Sequence, residues 1–215
     1  MAEVAQPATK GLADFAAWRN WFRGEDAIVV APGPSSREPG WSEAYRSHWT
    51  IGCNRAVGYC EPDVAVCVEP FVDTIWRTIR ACSAATVFSH LCKDRRGRQP
   101  HPRIAQFPTK NVAAWFDPGT TDDLQCAMSP FWAAGVACWL GFSRVALIGV
   151  DLTKDRWPDP WRENRKWAAL RQLLEAQGTF LFNLNPASRL EAIPAPQFLR
   201  LRGKAHEPGK PVAAS

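Results

Sequence analysis

The stretch Ala27 to Ser36, AIVVAPGPSS, constrains the chain most. Four apolar residues, Ala27 to Val30, run into Pro32-Gly33-Pro34-Ser35-Ser36, the pattern of a short buried strand that stops abruptly at a loop of small residues. A loop at the carboxyl end of the first strand of an open α/β sheet is where ligands bind. Gly33 lets backbone approach a ligand closely, and Ser35 and Ser36 carry hydroxyl and amide donors suited to phosphate oxygens. Gly, Pro and Ser are equally the residues of an ordinary strand-to-helix turn, so the loop alone leaves both readings open.

The rest of the chain alternates short apolar runs with helical spacing. Leu12, Phe15, Trp18, Trp21 and Phe22 predict a first helix ahead of the strand. Pro39 to Ser47 is a short helical or irregular link, and His48 to Cys53 a second strand. If parallel to the first, it delivers Gly52-Cys53-Asn54-Arg55 to the same edge as the Gly33 loop. A strand Val64 to Val68 ending at Glu69-Pro70, a helix Phe71 to Arg80, and strands Ala85 to Ser89 and Ile104 to Phe107 continue the alternation. Lys93 to Arg103, the most basic segment, contains Gly97, Pro100 and Pro102 and reads as a loop. It is either an arm over an anionic ligand or a solvated loop; no aromatic residue interleaves with its charges.

Ser129-Pro130 is a helix start, with a hydroxyl at the N-cap and proline at the first helical position. The following residues to Leu140 are apolar nearly all round, which predicts a buried helix ended by Gly141. Val145 to Val150 predicts a central strand that stops at Asp151, a residue that serves there as a turn cap or as a carboxylate facing a ligand. The segment Asp151 to Arg162, DLTKDRWPDPWR, is a lid or a packed surface loop, with Trp157 and Trp161 offering faces to a sugar or base. A helix Trp161 to Gln177 and a strand Thr179 to Asn183 complete the pattern. It predicts one α/β domain over residues 11–200, a mostly parallel sheet flanked by helices, with a flexible N-terminus 1–10 and a disordered polar tail 201–215.

Composition narrows the functional classes. A chain of 215 residues with 46% hydrophobic and 22% charged residues buries a core without staples. No run is long enough to span a bilayer and the first residues lack a signal-peptide pattern, so a cytoplasmic location is expected. The seven cysteines include no CxxC pair, which argues for reduced thiols and against a zinc site or a dithiol redox motif. A net charge of +5 favours anionic partners: nucleotide, nucleic acid or acidic glycan.

In order, VVAPGPSS, IGCNRA, PDVAVCVEP, MSPFWAAGVACWLGFSRVALIGVDLT and FNLNPASRL resemble the DUF115 and bacterial sialyltransferase-like group. That group also includes flagellin-modifying transferases, MptE-like 6-hydroxymethylpterin diphosphokinases and phage proteins. The resemblance spans about residues 27–190 and implies a Rossmann-like domain that holds a nucleotide donor at the Gly33 loop, the Asn54 tip and the Ser129 helix start. Gly33, Pro34 and Ser35 fit the glycine-proline-serine loop of the group. Asn54 fits an asparagine that contacts the cytidine nucleotide, Ser129 the serine before the long buried helix, and Asp151 the aspartate after isoleucine-glycine-valine. Pro32 stands where the sialyltransferases have asparagine, and Thr153 stands near a position where they have tyrosine. Their general-base histidine has no counterpart, the histidines here being His48, His90, His101 and His206.

The function that follows is sugar transfer from a nucleotide-sugar donor to an acceptor hydroxyl on a glycan or a modified nucleic acid. It requires a held leaving group, a base and exclusion of water. With the histidine missing, a carboxylate must serve as base: Asp151, or Asp155 or Asp159 on the following loop, with Arg156 or Arg162 near phosphate and the tryptophans as lid. Two alternatives stand beside it. One is an ATP- and magnesium-dependent diphosphokinase in which Asp151 and Glu69 hold the metal, and the other is a non-catalytic nucleotide- or nucleic-acid-binding protein.

Overall fold

In a computed structural model of the chain, the described residues are 15–68, 86–89, 104–121, 124–125, 128–155, 158–195 and 200–204. The expected helix 71–80, the basic segment 93–103, Glu69, Arg156, Trp157 and both termini, 1–10 and 205–215, lie outside them.

Seven strands form one sheet: β1 Asp26–Val30, β2 Trp49–Cys53, β3 Val64–Val66, β4 Thr86–Ser89, β5 Ile104–Gln106, β6 Arg144–Ile148 and β7 Phe180–Asn183. Their order is β5-β4-β3-β2-β1-β6-β7, and every neighbouring pair is parallel. The domain is therefore Rossmann-like α/β, with β1 an interior strand between β2 and β6. All five β1 residues are buried, which explains a continuous apolar run in place of alternation. Ala27 and Val29 face the larger core, while Ile28 and Val30 face a smaller one containing Tyr45, Ala56, Cys60 and Ile148.

The helices are α1 Trp41–Ser47, α2 Val57–Cys60, α3 Ala113–Phe116, α4 Ser129–Trp139 and α5 Trp161–Ala176. Every residue of α4 is buried, as its apolar circumference requires. It packs on β1, β2, β3 and α5, and Phe131 meets the Trp167 ring edge-on at 5.4 Å. Among the described residues no helix is long and apolar enough to cross a membrane.

The first helix expected over 12–22 is, in its described part, a 3-10 turn, Phe15–Trp18, followed by irregular chain. The backbone donors of Asn20, Phe22 and Gly24 bond to the carbonyls of Trp139, Leu140 and Gly141. These residues thus satisfy carbonyls at the end of α4 that have no partner within the helix, instead of a ladder of their own. Residues 201–204, placed by composition in a disordered tail, are held against the sheet. Arg202 bonds Asp26 through its backbone N–H at 2.7 Å, and Lys204 reaches Asp63 at 2.8 Å.

Candidate functional site

The sheet order reverses at β1: the chain proceeds from β1 outward through β2 to β5, then returns to place β6 on the other side. The carboxyl ends of β1 and β6 therefore border the crevice where ligands bind in such folds. The Gly33 loop and Asp151 meet here. Gly33 donates its N–H to the Gly149 carbonyl at 3.0 Å, and a Cβ on Gly33 would lie 2.2 Å from that oxygen and 2.7 Å from Asp151 Oδ2. Gly149 has φ +80°, and a Cβ there would lie 2.1 Å from the Ala31 carbonyl oxygen. The two glycines are required by the crossing of these two backbone segments. The close approach that a glycine at position 33 permits is, among the described residues, to the Gly149 backbone.

The donors expected to hold phosphate are turned inward. Ser35 donates its N–H to Asp151 Oδ2 at 3.0 Å and its hydroxyl to Asp151 Oδ1 at 2.5 Å, while accepting the Gly149 N–H at 3.1 Å. Ser36 donates its hydroxyl to the Gly33 carbonyl at 2.7 Å, and the Tyr59 hydroxyl lies 2.8 Å from Ser36 Oγ. Tyr45 supports the loop from beneath by donating to the Ser36 carbonyl at 2.8 Å; burial pushes its own phenol above the usual range. Pro34 is exposed on the loop.

Asn54 and Ser129, separated by 75 positions in sequence, are brought together. The Asn54 amide donates to the Ser129 hydroxyl at 2.7 Å, and both residues are buried. Asn54 follows β2 with φ 48°, a left-handed conformation that asparagine tolerates better than most side chains. Ser129 was expected as an N-cap. The N-cap is instead Met128, with no side-chain capping bond, because Ser129 is already helical and its hydroxyl serves Asn54.

Asp151 accepts a third hydrogen bond, from the Asn185 amide at 2.8 Å. The backbone around it is also held: Ser188 donates to the Val150 carbonyl at 2.6 Å, and Arg189 to those of Asp151 and Leu152, each at 3.3 Å. Leu152 has φ 48°, a strained value for a bulky residue, which such bonding sustains. Sequence reasoning named the FNLNPASRL motif without assigning Asn185 or Ser188 a role. The only signal was a run of short polar residues after the last strand, at the same sheet edge as Asp151. Asp155 and Thr153 are exposed on the following loop. Trp161, at the start of α5, is 62% exposed, and the Arg165 guanidinium sits 4.8 Å from its ring centroid. Arg156 and Trp157 lie outside the described residues. Among the described residues no group of three His, Cys, Asp or Glu side chains is arranged to hold a metal ion, and Cys53, Cys60, Cys67 and Cys138 are buried.

An all-parallel sheet with this order, with a polar crossing at its reversal point and a buried Asn–Ser pair beside it, makes up a Rossmann-like domain. The CstII sialyltransferase of Campylobacter jejuni, solved with cytidine-5'-monophosphate, aligns over 90% of this chain and 95% of its own, at TM-score 0.57 and 15% identity. The monofunctional α-2,3-sialyltransferase Cst-I of the same organism aligns over 89% of each chain, at TM-score 0.56 and 13% identity. A complex of CST-II with CMP and a trisaccharide acceptor aligns over 89% of this chain and 96% of its own, at TM-score 0.54 and 15% identity. At these identities the likeness is one of fold. No family model and no curated protein matches the chain.

Proposed function

We propose that this protein is a sialyltransferase-like glycosyltransferase that moves a sugar from a cytidine-type nucleotide donor to an acceptor hydroxyl. The observation that carries the reading is the Asn54–Ser129 pair. Two residues that the sialyltransferase resemblance marks for nucleotide contact lie 2.7 Å apart at the carboxyl edge of a sheet whose structural neighbours include a sialyltransferase bound to CMP. In this reading Asn54 and Ser129 contact the nucleotide. The Gly33-Pro34-Ser35 loop shapes the adjoining wall and does not donate to phosphate, since its donors are bonded within the protein. Trp161 and Arg165 border the acceptor side, and exposed Asp155 takes the acceptor proton in place of the absent histidine. The acceptor is a glycan or a modified nucleic acid.

Thermal shift and calorimetry with CMP, UDP, GDP and ATP, each with magnesium and with EDTA, test the reading. A nucleotide at about a hundred times its Kd adds roughly 2.7 kcal/mol, a shift of several degrees for a domain of this size. The expected result is a CMP shift that persists in EDTA. A shift seen only with ATP and magnesium refutes the transferase in favour of a diphosphokinase of the MptE-like kind, and no shift with any nucleotide refutes nucleotide binding. A CMP shift together with no hydrolysis of a CMP-sugar, and no transfer from it, favours the non-catalytic alternative. The three hydrogen bonds already engaging Asp151 are the observation that keeps this alternative in view.

A further inference from the structure

Between Ala31 and Ser36 every backbone N–H has a partner inside the protein. Ala31 donates to the Ile148 carbonyl at 2.8 Å, Gly33 to that of Gly149 at 3.0 Å, Ser35 to Asp151 at 3.0 Å and Ser36 to the Gly33 carbonyl at 3.2 Å; Pro32 and Pro34 have no N–H. The strand-like pairing of β1 with β6 thus continues past both strands and ends on one side chain, Asp151. Its Oδ1 accepts from the Ser35 hydroxyl and the Asn185 amide, and its Oδ2 from the Ser35 N–H. A carboxylate offers about four acceptor positions, and three are occupied. The Ser35 hydroxyl is fixed in orientation because it donates to Asp151 and accepts from the Gly149 N–H at once.

We propose that Asp151 is a positioning residue. With Ser35, Gly149 and Asn185 it forms a latch across the tips of β1, β6 and β7 that sets the loop 31–36 in its nucleotide-binding shape, and it is not the proton acceptor of the reaction. The proposal rests on the nucleotide-transfer reading and gives a different role to the residue first considered as base. Two features beyond the hydrogen bonds support it. The latch closes only because Gly33 and Gly149 carry no side chain where the segments cross. Leu152, next to Asp151, has left-handed backbone, and Arg189 from the loop after β7 donates to its carbonyl at 3.3 Å, so the segment carrying the carboxylate is tied to the same loop as Asn185. A base must present a free lone pair to the acceptor hydroxyl, whereas both Asp151 oxygens are engaged by the protein and three of their roughly four acceptor positions are taken.

The test uses the full chain with CMP as probe and the variants Ser35→Ala, Asn185→Ala and Asp151→Asn, with Asn54→Ala for comparison. Each latch variant should raise the CMP Kd roughly tenfold, the effect of about one lost charge-assisted hydrogen bond. Ser35→Ala combined with Asp151→Asn should cost no more than the larger single change. Amide exchange at Gly33, Ser35 and Gly149 should quicken in the latch variants and not in Asn54→Ala, although Asn54→Ala also loses CMP. The pH-rate profile of CMP-sugar turnover should keep its limbs in Asp151→Asn, with the loss falling on KM. If Asp151→Asn binds CMP normally but loses turnover and one limb of that profile, Asp151 is the base and the proposal falls. Unchanged amide exchange in Ser35→Ala also overturns it, and this variant decides the matter should Asp151→Asn fail to fold. If the unmodified protein does not bind CMP, the nucleotide reading falls and takes the positioning role with it. Amide exchange then still reports whether the latch exists.

Discussion

Replacing Asp26 by Asn should unfold this domain more readily than any other single charge removal among the described residues. Asp26 opens β1 with its side chain fully buried. Arg144 grips it with two donors, Nε at 3.0 Å and a terminal nitrogen at 2.5 Å, and Arg202 adds its backbone N–H at 2.7 Å. Burial alone would raise the Asp26 carboxyl, but hydrogen bonds from Arg144 and Arg202, with the Arg144 charge, hold it below the ordinary value. Breaking a fully buried pair costs roughly 3–5 kcal/mol. The Arg144 and Arg202 side chains are 32% and 59% exposed, so water screens part of the interaction, and about 2–3 kcal/mol is the expected loss at pH 7. At roughly 2–4 °C per kcal/mol for a domain of this size, Tm should fall by about 4–12 °C. The sign with pH follows from the depressed carboxyl. Its contribution is present above the unfolded value of about 4 and is lost as pH falls through the lower folded value. Urea unfolding at pH 7 and near pH 3 reads both. A loss below about 0.5 kcal/mol at pH 7, or a difference between the two proteins that widens on acidification, refutes the account.

Asp63 should behave in the opposite sense. Burial raises its carboxyl despite Lys204 and the Thr50 N–H, so it contributes stability that is lost as pH rises through the folded value. Asp63→Asn should therefore gain on the unmodified protein between about pH 4 and pH 7 in urea titrations. Gly149→Ala, at φ +80° and with its Cβ 2.1 Å from the Ala31 carbonyl, should cost several kcal/mol and leave little soluble folded protein on expression, as read by circular dichroism. Asn54→Ala should weaken CMP binding at least tenfold by calorimetry while moving Tm by less than the Asp26 change. Burial pushes the Cys138 thiol up to about 11, so a disulfide reagent at pH 8 should label it only after unfolding.

Much of the fold is legible along the chain. Continuous apolar runs bounded by Gly, Pro and Asp mark strands buried on both faces, and β1, β2 and β6 lie within a residue or two of where such runs place them. α4 is equally plain, since a helix apolar all round has nowhere to be but inside. That the helical spacing from Phe15 onward gives only a 3-10 turn, Phe15–Trp18, was not legible: the spacing is real, but the donors of Asn20, Phe22 and Gly24 after it are claimed by the end of α4, more than a hundred residues away. The same holds for Arg202 and Lys204, polar residues whose ordering depends on buried or half-buried carboxylates far off in sequence.

By itself the sequence determined that β1 is buried, that small residues end it, and that Asn54, Ser129 and Asp151 sit at element ends where functional groups collect. Those follow from local patterns of apolarity and turn chemistry, which the chain carries within each segment of about ten residues. Only the tertiary structure decided how these ends are used. It paired Asn54 with Ser129, turned the Ser35 and Ser36 donors inward, and set Asp151 to hold a loop. A side chain's polar atoms take whichever partner the fold brings within about 3 Å, and that partner is chosen by sheet order and crossing geometry.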